Sequence, residues 1–389
     1  MVARGGVGVF YDLSSSEVGN SYPQAYPYSE IAVNFASFPA PPAYGAPAIV
    51  PPDATQGMLV GSDPHLNLPY TLQWSFALEQ ALGAAQTLTM SYIGSSGNRL
   101  LATEQVSAPN PNYASAYLVA NAGSSSYNVL QVQFQRRLSK GLQALASYSW
   151  SHSIDTGSYG AYANGGFTDL RENRGDSDFD IRDTFSSAIT YDVPEYRGNS
   201  FTKALTGGWS TDNIIQVRSA PPVDVIDSAY TYLTAQNKQL VFRPDVVPGQ
   251  PFYLHGSEYP GRKALDVNAF TDPPTDPVTH NPLRQGDLGR NALRAFRLNQ
   301  WDFALHREFP VREAMKLQFR AEMFNVLNHP DFAAYNNSFH AEDPYFGQST
   351  AMYGTASSQA GGGEGKGGLS NLYQLGSPRS VQLALKLTF

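Results

Sequence analysis

Three aspartates at alternate positions, Asp176, Asp178 and Asp180, offer carboxylate oxygens as a calcium-binding loop would, with Glu172 and Asp183 close by. The glycine bend and the closing bidentate glutamate of an EF-hand loop are absent, so the spacing is only a weak metal candidate. Arg171, Arg174 and Arg182 interleave with these acids, and that alternation of charge reads as a structural ion-pair network at a loop-to-strand junction. A second pattern, Gly361-Gly362-Gly363-Glu364-Gly365-Lys366-Gly367-Gly368, has the glycines and lysine of a phosphate loop. Lys366 is followed by Gly367 instead of Ser or Thr, and no strand-to-helix context surrounds it, so it reads as a flexible loop tip. His152, His306 and His329 lie without metal-ligand spacing, and neither a nucleophile elbow nor a zinc-protease helix motif occurs. A rim protease built from Asp178, Asp180 and His152 has no motif behind it, and the chain is read as a non-enzyme without a cofactor.

The tyrosines offer chemistry of another kind. Tyr159, Tyr162, Tyr230, Tyr232, Tyr335 and Tyr345 fall in long connecting segments, where ring area plus a hydroxyl suits the capture of sugar or peptide. The same rings could serve instead to order those loops by packing within them.

The elements that must position these groups are strands. Along Ser380 to Phe389 polar and apolar residues alternate, with Val381, Leu383, Leu385, Leu387 and Phe389 on one face and Ser380, Gln382, Ala384, Lys386 and Thr388 on the other. Similar alternation marks about ten segments in all, read as an antiparallel up-and-down transmembrane β-barrel portion in an all-β chain. They begin near Val7, Leu72, Thr87, Leu130, Ala144, Phe185, Trp209, Trp301, Leu317 and Ser380. Short turns such as Gly83 to Gln86 and Leu138 to Gly141 alternate with long connections, to residue 67, at roughly 95–125, to about 180, at 219–298 and at 328–378, all read as loops. Assigning long connections to the cell exterior and short ones to the periplasm leaves Phe389 on the periplasmic side. The alternation predicts that Leu72, Phe76, Val132, Phe134, Ile189, Leu317, Phe319, Leu383 and Leu385 face lipid. Gln73, Gln131, Gln133, Gln318, Arg320 and Lys386 then face the lumen. Trp74, Trp150, Trp209 and Trp301 fall near strand ends, where indole rings favour the headgroup level as a girdle.

Composition excludes several classes. No apolar run reaches the roughly 18 residues that a membrane helix needs. Cys is absent, which removes disulfide frameworks and thiolate metal sites. The net charge of −7 is spread out and the basic residues form no dense stripe, so nucleic acid is not an expected partner. Aromatic residues make up 12% of the chain, 23 Tyr and 21 Phe among them, against 15% charged, which suits a wall with interfacial girdles. Met1 to Gly6 carries no apolar signal region, and a strand starts within a few residues, so the sequence is expected to begin partway through a larger protein.

Several segments together resemble the C-terminal barrel half of TonB-dependent receptors, in the Oar-like branch whose members carry a carboxypeptidase-regulatory-like N-terminal domain. They are Arg4 to Asp12, Tyr127 to Gln131, Tyr148 to Asp155, Gly286 to Asn291 and, most specifically, Arg320-Ala321-Glu322-Met323-Phe324-Asn325-Val326-Leu327-Asn328-His329-Pro330-Asp331-Phe332. The resemblance covers essentially the whole chain. It implies a barrel of about 22 strands around a plug, in the outer membrane, driven by a TonB-type energy transducer that grips an N-terminal region. On this reading residues 1–389 are one partial barrel domain without plug or first strands, unable to carry out energised uptake alone. Phe389 resembles the terminal aromatic read by the barrel-assembly machinery, and outer-membrane lipid is the other expected partner. The resemblance implies uptake of a large nutrient, an oligosaccharide, peptide or metal chelate. A passive barrel or adhesin, and a soluble β-rich carbohydrate-binding module, are the other classes left open.

Overall fold

Hydrogen bonding dictates the architecture: a strand crossing hydrocarbon must find partners for its N–H and C=O groups on neighbouring strands. In the computed structural model the described residues are 1–13, 58–110, 113–158, 173–194, 199, 202, 206–233, 239–278, 280, 282–312, 315–333, 335–349, 351–352, 376 and 378–388. Ten of the strands form one continuous antiparallel wall. In chain order they are β1 (Val2–Tyr11), β2 (Tyr70–Ala81), β3 (Gln86–Asn110), β4 (Tyr113–Ser139) and β5 (Leu142–Asp155). The path continues through β6 (Asp183–Asp192), β7 (Trp209–Arg218), β8 (Leu298–Arg312), β9 (Met315–Phe324) and β10 (Ser380–Thr388). Each strand pairs with its neighbour in sequence, as in an up-and-down barrel, but β1 and β10 do not pair with each other, so the sheet is open.

Cross-strand register sorts the side chains onto two faces without a break. One row runs Leu78, Met90, Val132, Tyr148, Phe185, Val217 through six strands. One residue along, the row is Glu79, Thr89, Gln133, Ser147, Ser186, Gln216, Gln300. The same parity puts Leu72, Phe76, Phe134, Ile189, Leu317, Phe319, Leu383 and Leu385 on the apolar face, and Gln73, Gln131, Gln318, Arg320 and Lys386 on the polar one. A one-residue slip anywhere would invert every later strand, so the chain holds register where it turns. The β4–β5 connection shows how: Lys140 and Gly141 both have positive φ, 54° and 75°, the pattern of a two-residue type I′ hairpin.

Two regions read as loops are structured. β3 and β4 continue well beyond the wall as a paired hairpin, on which Met58–Ser62 adds a short parallel strand. Their alternation fades there because apolar residues run consecutively, Leu100 to Ala102 and Tyr117 to Ala120, with Ala102, Ala116 and Val119 buried. Most of the segment between β7 and β8, joined by part of the β9–β10 connection, folds into a compact cap. Its pieces are two- to eight-residue strands: Pro222–Val223 with Leu293–Arg294, Ile226–Leu233 with Gln239–Phe242 and Ser338–Phe339, Asp245–Val246 with Phe270–Thr271, and Tyr253–His255 with Lys263–Leu265. Val225, Leu265, Phe270, Leu288, Phe339 and Phe346 anchor its core. Phe270 packs against Phe252, Phe339 and Phe346 with ring centroids 5.6–5.8 Å apart.

Candidate functional site

The acidic rim and the cap meet at the long-connection end of the wall. Asp155 ends β5, and a short strand, Gly175–Asp176, pairs with it before Asp180 leads into β6. Gly175 is required there because the backbone carbonyl of Arg290, from the cap, lies where a Cβ would project. Arg243, Arg290 and Arg294, all from the cap, insert among the rim residues. Arg290 donates to the Asn173 carbonyl at 2.8 Å, to Asp178 at 2.9 Å and to the carboxylate of Asp155. Arg294 donates to Asp180 at 2.7 Å and also to Asp176. Arg243, fully buried, bridges Asn173 at 2.6 Å and Asp224 at 3.0 Å. Asn291 adds bonds to Asp178 at 2.7 Å and to the Asp176 carbonyl at 2.8 Å.

The three aspartates of the calcium-like spacing are thus taken by guanidinium and amide groups. His152, Asp176 and Asp180 do bring one potential ligand atom each within 4.8 Å of one another. Arg182, however, bonds Asp180 at 2.7 Å and Asp176 at 3.0 Å, and Arg294 bonds both, so the positive charge a cation would supply is already present. This is the ion-pair network that the interleaved charges predict, with a difference in its members. Arg182 joins it, Arg174 turns instead to Ser124, and Arg171 and Glu172 lie outside the described residues. The cap arginines were not assigned to it from sequence. Their one signal is the Gly286 to Asn291 segment, which carries Arg290 and Asn291.

Electrostatics separate two kinds of buried aspartate. Burial pushes Asp176 up, but the hydrogen bonds from His152 and Arg182 and the charges of Arg294 and Arg182 outweigh it and hold its carboxyl below the ordinary range. In the cap, burial and the nearby charge of Asp272 push Asp227 up to about 6. Asp227 is fully shielded from solvent, and its Oδ2 has no hydrogen-bond partner among the described residues. Lys263 is lowered by burial and by Arg297; its ammonium donates to the Arg294 and Ala295 carbonyls and sits 3.9 Å from the Tyr253 ring centroid.

The tyrosine candidates part company. Tyr335 is buried in the cap core, 4.8 Å from Phe296 between ring centroids, so it packs the cap and is not open to a ligand. Tyr345 is 66% exposed and Tyr230 partly exposed, both on the cap. Tyr159, Tyr162, the Tyr232 side chain, Phe389 and the Gly361 to Gly368 run lie outside the described residues. Trp74, Trp150, Trp209 and Trp301 all share the apolar face. Trp209 opens β7 at the short-turn end, and Trp150 pairs with Asp183 at the opposite rim. Trp74 sits mid-strand, lying over Gly94 on β3. His329 pairs with Asp331 at 3.0 Å, inside the turn that closes the Arg320 to Phe332 segment. Asn325 and Asn328 there both take φ of 49°, the left-handed region that asparagine tolerates.

A family profile described as "Outer membrane beta barrel domain" matches residues 1–381. No curated protein matches. Among solved structures the chain is similar to the outer membrane transporter YddB from Escherichia coli, with 12% identity and a TM-score of 0.43, over 86% of this chain and 34% of that one. It is also similar to the ferripyoverdine receptor of the outer membrane of Pseudomonas aeruginosa, bound to ferripyoverdine, with 9% identity and a TM-score of 0.39. That match covers 83% of this chain and 27% of the receptor, so the chain spans about a third or less of either protein.

Proposed function

The chain belongs to the outer membrane beta barrel domain family, and from that premise we propose that it forms wall and outer binding surface of a TonB-dependent receptor. The protein resides in the bacterial outer membrane, so the apolar face meets lipid, the polar face meets the lumen, and the cap stands on the cell exterior. The observation that carries the proposal is the cap. A passive pore needs no folded outer module, whereas a receptor for a large nutrient needs a shaped surface held at the channel mouth, and here a core of its own and an arginine network hold one against the rim. Resemblance of the Arg320 to Phe332 segment to the Oar-like branch supports the same reading.

The substrate class fits an oligosaccharide, peptide or metal chelate captured on exposed cap groups such as Tyr345 and Tyr230 before entry along the glutamine-lined wall. Energised uptake belongs to the complete receptor, through a region a periplasmic energy transducer can grip. Because β1 and β10 each pair on one edge alone among the described residues, further strands are expected to complete the barrel, about 22 in all. The test is binding of a panel of these three ligand classes to the chain in detergent micelles. Saturable binding of one class, weakened by Tyr345→Ala, supports the proposal. Equal, unsaturable signals from all three would remove it and leave a passive barrel or adhesin.

A further inference from the structure

Polar groups on the apolar face of the wall divide between its two ends. β6 is ten residues long, and at about 3.3 Å per residue and a tilt of about 40° it rises roughly 25 Å, the height of an apolar band, so its first residue, Asp183, stands at the outer boundary. Arg136 and Arg307, cations of the same face, lie toward the other end. Register sets Tyr92, Leu130, Trp150 and Asp183 side by side in one row, with Asn128 and Tyr148 two residues along on the same face. Trp150 is 54% exposed, and Tyr92, Tyr148, Asn128 and Asp183 are exposed with it. The Tyr148 hydroxyl donates to Asp183 Oδ1 at 2.6 Å and the Tyr92 hydroxyl to Asn128 Oδ1 at 2.7 Å. Each bond fixes its polar partner and uses one atom of it: among the described residues nothing bonds Asp183 Oδ2, the Asn128 amide nitrogen or the Trp150 indole N–H.

Resting on the reading that the apolar face meets lipid, we propose that this patch binds the sugar headgroup of a glycolipid in the outer leaflet. A sugar ring carries an apolar C–H face, which lies flat on an exposed indole, and a rim of hydroxyls, each both donor and acceptor. Trp150 supplies the flat surface, Asp183 Oδ2 accepts from one hydroxyl, and the Asn128 amide donates to another. Four strands in register put the ends of the row three spacings apart, about 14 Å, room for more than one ring. A phosphate headgroup is disfavoured, because its charge would meet the Asp183 carboxylate at the edge of a low-dielectric medium. The occupant is a lipid and not a soluble sugar: Leu130 within the row, and Val132 and Phe185 in the next row toward the membrane centre, are apolar and lie where acyl chains run.

The experiment is native mass spectrometry of the full chain folded in micelles doped with digalactosyl diacylglycerol, a phosphate-free glycolipid, or, separately, with phosphatidylglycerol. Wild-type protein is expected to retain the glycolipid about fivefold more than Trp150→Leu, with phospholipid retention the same in both. Equal glycolipid retention by the two proteins overturns the site, and displacement of the glycolipid by its free disaccharide at equal concentration overturns the assignment to a lipid. Should Trp150→Leu fail to fold, Asp183→Ala removes the acceptor and keeps the indole. Reduced glycolipid retention is then expected, and unchanged retention overturns the proposal. A nitroxide on Leu383→Cys, the single cysteine of that variant, tests the underlying reading separately. A label beyond the reach of a lipid-soluble relaxation agent overturns the lipid-facing assignment itself, whereas an accessible label without glycolipid preference overturns the headgroup site alone.

Discussion

In the wall Leu383 and Leu385 are 68% and 72% exposed, whereas in the cap Phe339 and Leu265 are 1% and 2% exposed. Both regions are built from strands, yet they satisfy the hydrophobic effect by different means. The wall leaves its apolar side chains open on one face and satisfies its backbone by hydrogen bonds between neighbours. The cap stands in water, so it must gather its own core from short strands that pair in scattered order, and it attaches to the wall by buried ion pairs. A single chain thus carries two sets of folding rules, and each region should fail under different perturbations.

The largest effect is expected where the two regions join. Arg290→Ala would leave Asp155 buried beside a missing partner, at a cost of about 3–5 kcal/mol. Hydrogen exchange should then rise in 173–180 and 286–294 while the β4–β5 amides stay protected. Loss of protection across both regions would mean that cap and wall are one cooperative unit. In the wall alone, Leu383→Arg is expected to cost about 2–4 kcal/mol by placing a charge against lipid. Ala384→Arg, one residue along on the polar face, should be tolerated. Loss of the heat-modifiable folded band for the first variant and its retention for the second is the readout, and the same outcome for both would sink the face assignment.

pH separates the regions further. Asp227 is raised in the folded cap, so its contribution is fully present below the ordinary aspartate value of 3.8 and is lost as pH rises through about 6, worth about 2–3 kcal/mol. Asp176 is lowered, so its contribution is present above 3.8 and is lost only as pH falls through its lower folded value. Corrected for base-catalysed intrinsic exchange, cap amides should therefore be better protected at pH 5 than at pH 7.5, with rim protection unchanged, and Asp227→Asn should flatten the profile. A profile that persists in that variant would point to another group. The smallest effect belongs to Gly94→Ala, whose new methyl would meet the Trp74 ring and cost about 1–3 kcal/mol in the wall alone. Unaltered fluorescence and melting would show that the indole is free to move aside.

The wall was legible because its physics is local. Period-two alternation in Leu130 to Gln135 or Val381 to Leu387 needs only neighbours in sequence, and those strands appear where the pattern puts them, within longer elements. The long β3–β4 hairpin is not legible because its apolar residues, Leu100 to Ala102 and Tyr117 to Ala120, run together without a period of two. The cap was missed for a stronger reason: Pro222–Val223 and Leu293–Arg294 are two-residue strands about 70 residues apart, too short to show a period. At the rim, the acids and Arg182 were readable as a local ion-pair pattern. Arg290 and Arg294 lie more than 100 residues from the aspartates they bond, and no spacing rule spans that gap.

Local pattern was enough for the all-β class of the protein, the order of its wall strands and the sorting of each strand into an apolar and a polar face, because alternation and the need to pair every backbone group leave one arrangement. Only in the folded molecule does the longest connection become a folded module, do Arg290 and Arg294 of that module bond the aspartates of the calcium-like spacing, and does Tyr335 join a core and not a binding surface. Those outcomes depend on contacts between distant segments, where burial and charge neutralisation are properties of the assembled molecule and not of any stretch of the chain.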